Sequence, residues 1–120
     1  MNNESLQVGV DLGGWVSQYN AFNFERFIDF HMDQDYLRDA LQPANDFIQN
    51  IGKPLYCGEF GVIDHAPLQT RINWTSDFIS LLNEQQISRA IWSYKEMNFA
   101  LVDSESKVVS EELVKVAALR

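Results

Sequence analysis

Gly52 and Pro54 close one helical pattern and open a short apolar run that ends in an acid, Leu55-Tyr56-Cys57-Gly58-Glu59-Phe60. A glycine then a proline is a strong helix stop. The run that follows lacks the apolar–polar alternation of a half-wet strand. It reads instead as a strand covered on both faces, the habit of parallel sheets. Two further runs have the same character, Val8-Gly9-Val10-Asp11-Leu12 and Ser88-Arg89-Ala90-Ile91-Trp92-Ser93-Tyr94. The strand candidates are therefore 8–12, 54–60 and 88–94.

Helical patterns separate them. Tyr36, Leu37, Ala40, Leu41, Ala44, Phe47, Ile48 and Ile51 recur at the spacing of one helix face, with Asp33 as cap. Pro43 lies inside that pattern and is expected to bend the helix or weaken it. A second helix is expected from about Pro67, which suits a first helical turn. Its inner face would hold Leu68, Ile72, Thr75, Phe78, Ile79 and Leu82. A third starts at Ser110, with Leu113, Val114 and Ala117 facing inward. Strands alternating with helices are the grammar of βα units. Residues 19–31 fit poorly, because Phe22, Phe24, Phe27 and Phe30 crowd together without a settled period. There are no repeats, low-complexity tracts or linkers.

The 120 residues, 46% of them apolar, suffice for one modest globular core. Nine basic against seventeen acidic residues leave a net charge of -8, which excludes nucleic acid and an anionic membrane surface as partners. No stretch has the roughly 18 consecutive apolar residues of a spanning helix. The start of the chain, Met1-Asn2-Asn3-Glu4-Ser5, has neither a basic patch nor an apolar run. A secretory leader is therefore not expected as the chain stands, and the cytoplasm is the default compartment; a truncated start would allow an extracellular one. Cys57 is the only cysteine, so no internal disulfide is expected. No metal-ligand spacing occurs, and no cofactor is expected.

In parallel βα architectures, ligands gather at the C-terminal ends of the strands. Those ends carry Trp15, Glu59 and the run Trp92-Ser93-Tyr94-Lys95-Glu96. Indole faces stack on sugar C–H surfaces, and a carboxylate beside them can attack or stabilise an anomeric carbon. Each residue also has a plainer reading. A strand-end Trp is more often packing, Trp74 on a helix more so, and a lone Glu is often a solvated loop acid. His65 is most simply an exposed loop residue, and His31 has no local metal partner.

The motifs, in order, resemble glycoside hydrolase family 5, the cellulase family. Gly9-Val10-Asp11-Leu12-Gly13-Gly14-Trp15 is similar to its first strand, with Asp11 where the family usually has Asn. Gly58-Glu59-Phe60-Gly61 resembles its seventh strand, which ends in the catalytic nucleophile. Trp92-Ser93-Tyr94-Lys95 resembles its eighth, whose Trp lines the subsite beside the cleaved bond. The resemblance implies a (β/α)8 barrel, with Glu59 as nucleophile and Trp15, Trp92 and Lys95 binding substrate. It implies a retaining, endoglucanase-like hydrolase of O-glycosyl bonds acting on a β-glucan or oligosaccharide.

Such barrels need about 250 residues. The expected fold is therefore one α/β domain over 1–120, an incomplete (β/α)8 barrel with a deletion between about residues 20 and 33. It would keep a three-stranded parallel sheet, with strand 88–94 in the middle, and about three helices. The strand carrying the general acid/base would be absent. Asn3-Glu4 and Asn83-Glu84 belong to the opposite end from Glu59, and Asp11, Asp64 and Glu96 read as solvated acids. Hydrolysis by this chain is expected to be impaired or lost. Alternatives are a non-catalytic carbohydrate-binding module and a structural remnant. Open sheet edges and an open face would favour self-association or weak folding.

Overall fold

A computed structural model describes residues 34–95 and 98–119, all within one compact unit, His31–Arg120. The expected strand 8–12, Trp15, Asp11, Asp33, Glu96 and the expected junction between 20 and 33 lie outside the described residues. The described chain is α/β. It contains helices α1 (Gln34–Ala40) and α2 (Gln42–Ile51), strand β1 (Tyr56–Phe60), helix α3 (Leu68–Glu84), strand β2 (Ser88–Ile91) and helix α4 (Glu111–Ala117).

The single bent helix expected over 36–51 is two helices, and this raises the described count to four. The break falls at Leu41, whose N–H still bonds the Leu37 carbonyl at 3.0 Å. Pro43 sits in the first turn of α2, where its missing N–H costs nothing. In a continuous helix its ring would clash with the carbonyl of residue 39. The stop after α2 is as the sequence dictates. Gly52 is left-handed, at φ 68°, and its N–H caps the Ile48 carbonyl at 2.9 Å.

β1 and β2 are parallel neighbours joined through α3, one βαβ unit. Among the described residues the sheet has two strands rather than three, since the third expected strand is not among them. The strands are also shorter than the apolar runs. Pro54 has no N–H to give a ladder, and beyond Trp92 the chain passes into a loop.

α3 packs against α1 and α4. Its buried face is Arg71, Ile72, Thr75, Phe78, Ile79, Leu81 and Leu82. Two expectations for this helix need correction. Pro67 is the extended residue before the helix (φ -52°, ψ 139°), not part of its first turn. Leu68, placed on the inner face by its spacing, is exposed, and Arg71 takes the buried position one turn on. Phe78 meets Phe60 of β1 with ring centroids 5.4 Å apart, and Trp74 stacks on Phe78 at 4.8 Å, as packing. At α4 the cap is as expected: the Ser110 hydroxyl accepts from the Leu113 N–H at 3.2 Å. Leu113 is buried there, while Val114 and Ala117 are half-buried. No described helix is long and apolar enough to cross a membrane.

Candidate active site

Glu59 is the penultimate residue of β1 and is exposed. Its placement depends on an irregularity in the strand pairing. Cys57 pairs with Arg89 and Phe60 with Ile91, so Gly58 and Glu59 together stand opposite Ala90 alone. That is a β-bulge, a device that breaks the strict alternation of side chains and re-aims the bulged residues. Gly58 suits it, with open space where a side chain would stand apart from Tyr56 Cε1 at 3.7 Å. The Cys57 thiol donates to the Glu59 carbonyl at 3.6 Å. Burial pushes that thiol's pKa up, against smaller downward pulls from this hydrogen bond and from the charge of Arg89. Cys57 is thus a half-buried neutral packing group beneath the candidate acid.

Trp92 follows β2 directly. Its N–H donates to the Phe60 carbonyl at 2.7 Å, continuing the parallel pairing one residue beyond β2. Gly61 is pressed against it: a Cβ there would lie 2.2 Å from the Trp92 carbonyl oxygen. Glycine is required for this approach of two backbones. The Trp92–Ser93 peptide is cis. The Trp92 side chain is 38% exposed and that of Tyr94 67% exposed. Glu59 and Trp92 therefore stand at the same end of adjacent parallel strands, as the sequence predicts.

Lys95 has partners of its own. It is half-buried in the loop after β2, bridged to Val102, and its ammonium donates to the Ser106 hydroxyl at 2.9 Å. Trp15 lies outside the described residues. Asp64 and His65 form an exposed pair in the loop after β1, with His65 Nδ1 2.8 Å from Asp64 Oδ1. Among the described residues no ion pair or hydrogen bond engages the Glu59 carboxylate, and no cluster of His, Cys, Asp or Glu could hold a metal.

A broad cleft lies elsewhere. It runs along β2, between the C-terminal ends of α3 and α4, and includes Ile87, Ile91, Ala118 and Leu119. The Arg89 guanidinium crosses it, bonding Asn83 Oδ1 at 2.7 Å and the Leu119 carbonyl. Neither Glu59 nor Trp92 lines it, although their chain neighbours Phe60 and Ile91 do.

Sequence reasoning missed Arg71. It is 4% exposed and reaches from the first turn of α3 to the Ala100 carbonyl, 3.0 Å from Nη2. Its position at helical spacing from Thr75 and Phe78 was the available signal.

No protein-family model matches the chain. Over 89 residues, 74% of its length, it is 46% identical to endoglucanase C of Acetivibrio thermocellus. Those residues make up 26% of that protein, so the chain spans about a quarter of the length of the curated relatives it matches. Among solved structures it is similar to a hyperthermophilic endo-β-1,4-glucanase in complex with substrate. There the identity is 25%, 70% of this chain and 27% of the other are covered, and the TM-score is 0.63. A broad-specificity GH5-4 endoglucanase from Clostridium acetobutylicum matches 75% of this chain and 29% of its own, at 24% identity and TM-score 0.64. These matches define the class, an endoglucanase-like portion of an α/β barrel. More particularly, the chain is a glycoside hydrolase family 5-like (cellulase family) fragment.

Proposed function

We propose that this chain is a closing segment of a retaining β-glucanase barrel, with Glu59 as nucleophile and Trp92 as a wall of the sugar subsite. The observation that carries the reading is the presentation of Glu59 by a bulge at the end of β1, beside Trp92 at the end of β2. Trp15 and Lys95 are assigned to substrate binding on the motif resemblance alone. On the order of the motifs alone, the reading is of a three-stranded barrel remnant with the deletion between about residues 20 and 33. The ligand is a β-glucan or an oligosaccharide cut from one. Self-association through the uncovered sheet face is the route by which such a remnant would bury it.

The chemistry follows from one carboxylate. A Glu59 oxygen attacks the anomeric carbon, the C1–O bond to the leaving group breaks, and a glycosyl ester forms. A glucan's leaving alkoxide needs a proton at that moment, and later a base must activate water to open the ester. Retaining enzymes supply both from a second carboxyl group roughly 5–5.5 Å away. That group contributes about 10²–10⁴-fold, and none of the described residues fills its place, so turnover of native glucan is impaired or lost.

The test is intact mass after incubation with a dinitrophenyl 2-deoxy-2-fluoro-cellobioside. Dinitrophenolate leaves without a proton, and the fluorine slows opening of the ester, so the nucleophile is tested alone. A gain of one fluoro-cellobiosyl unit, absent from Glu59→Ala, is the expected result. Folded protein of unchanged mass would sink the glycosidase reading; saturable sugar binding unaffected by Glu59→Ala would favour a carbohydrate-binding module.

A further inference from the structure

Arg71 is the only charged side chain buried among the described residues. Its Nε finds no hydrogen-bond partner there, and Nη2 makes one bond, to the Ala100 carbonyl. Burial lowers the guanidinium pKa and the Asp64 carboxylate raises it. Arginine nonetheless keeps its charge in proteins. A well-packed apolar side chain would fill such a site at lower cost, so the charge is expensive where it stands. What it contributes is a join between two segments, the first turn of α3 and the loop after β2.

The end of β1 and the loop after it also meet the chain beyond β2. Phe60 O receives the Trp92 N–H at 2.7 Å, and Asn98 O receives the Asp64 N–H at 2.7 Å. Arg71 adds the outermost tie, at Ala100. The next residue folds back at once: the Leu101 N–H donates to the Ser93 and Tyr94 carbonyls at 3.1 and 3.2 Å. The Val102 N–H also donates to the Tyr94 carbonyl, at 3.1 Å. The Ser93 N–H in turn donates to the Phe99 carbonyl at 3.4 Å, so Ala100 lies within the segment that pairs with the two residues following Trp92.

We propose that Arg71 is a positioning residue: its guanidinium clamps the Ala100 carbonyl, and the loop returning onto Ser93 and Tyr94 holds Trp92 at the Glu59 end of β1. The assignment rests on the reading of Glu59 and Trp92 as a sugar site, and its test separates the two.

Arg71→Met keeps the stem and removes the donors, whereas Arg71→Lys keeps the charge and can restore one bond. The first readout is amide hydrogen exchange at Leu101 and Val102, with Ile79 in α3 as reference. A lost bond from a charged donor corresponds to an acceleration of about 10–100-fold at Leu101 and Val102 in Arg71→Met. Ile79 should change by less than about twofold, and Arg71→Lys should fall between. The second readout is labelling by the fluoro-cellobioside. The half-saturating concentration should rise while the labelling rate at saturation is nearly kept, and Arg71→Lys should recover part of the loss.

Unchanged exchange at Leu101 and Val102, or equal acceleration everywhere including Ile79, overturns the clamp. So does a normal half-saturating concentration in a variant whose loop exchange is accelerated. If Arg71→Met does not fold, Arg71→Lys decides by the same measurements. If the wild-type protein takes no label, the glycosidase reading fails by itself, and the exchange at Leu101 and Val102 alone decides whether Arg71 clamps this loop.

Discussion

Replacing Gly61 by alanine puts one methyl group where two backbones already touch. The added Cβ would lie 2.2 Å from the Trp92 carbonyl oxygen, 3.3 Å from its carbonyl carbon and 3.5 Å from Phe99 Cδ1. The nearest obstacle is backbone, so no rotamer change relieves it. Restoring van der Waals distance requires about 1 Å of separation. That movement stretches the neighbouring Trp92 N–H to Phe60 carbonyl bond from 2.7 Å to a length at which it no longer counts. The loss comprises about 1 kcal/mol for the bond and about 1–3 kcal/mol for overpacking, hence about 2–4 kcal/mol together. Urea unfolding reads this directly: with a slope of about 1.5 kcal/mol per molar, the midpoint falls by about 1–3 M. Gly58→Ala is the matched control, because its Cβ meets only the tip of Tyr56 at 3.7 Å. It should move the midpoint much less. A Gly61→Ala midpoint within about 0.3 M of the parent, with the slope unchanged, would refute the close approach of these strand ends.

Two further outcomes test other parts of the structure. Ser110→Ala removes the side-chain acceptor for the Leu113 N–H and should cost about 0.5–2 kcal/mol, while Ser110→Asp should restore most of it. Faster amide exchange at Leu113 is the local sign. The Cys57 thiol, raised by burial above its ordinary 9.0, keeps its proton longer in the folded chain than in the unfolded one. Its contribution to stability is therefore complete below about pH 9. It is lost as pH rises through the folded pKa, because the unfolded chain ionises first. Denaturation midpoints measured from pH 7 to 10 should fall over the upper part of that range, and Cys57→Ala should remove this component. A parallel fall in both proteins would contradict it.

Features governed by nearest neighbours were legible in the sequence. Gly52 before Pro54 dictates a left-handed cap, and Ser110 dictates an N-cap. The unalternating runs at 54–60 and 88–94 dictate parallel strands. Pro43 was legible as a disturbance, but whether a proline bends a helix or divides it depends on what the two pieces pack against. The bulge at Gly58 and Glu59 was not legible, because it exists only in the pairing of β1 with β2, about thirty residues apart in the chain. Arg71 and Leu68 were exchanged for a similar reason. Both lie within reach of the inner stripe of α3. The acceptor that makes an inward arginine tolerable, the Ala100 carbonyl, comes from a distant loop.

The same geometry sets a limit on Glu59. A bulge and a glycine-tight strand end can orient a carboxylate, which is the entropic half of catalysis. The electrostatic half needs a water-excluded site, where fixed dipoles act in low dielectric. Glu59 is exposed, and among the described residues no ion pair or hydrogen bond holds its carboxylate. Position without desolvation favours reaction with a substrate whose leaving group departs unaided. It does little for a glucan, whose alkoxide must be protonated as the bond breaks. On the proposed reading the fluoro-cellobioside and native glucan should therefore part company: labelling of Glu59 by the first should outpace turnover of the second. On the proposed self-association, hydrolysis of native glucan should rise steeply with protein concentration, and a rate strictly proportional to protein would refute a site completed by a second copy.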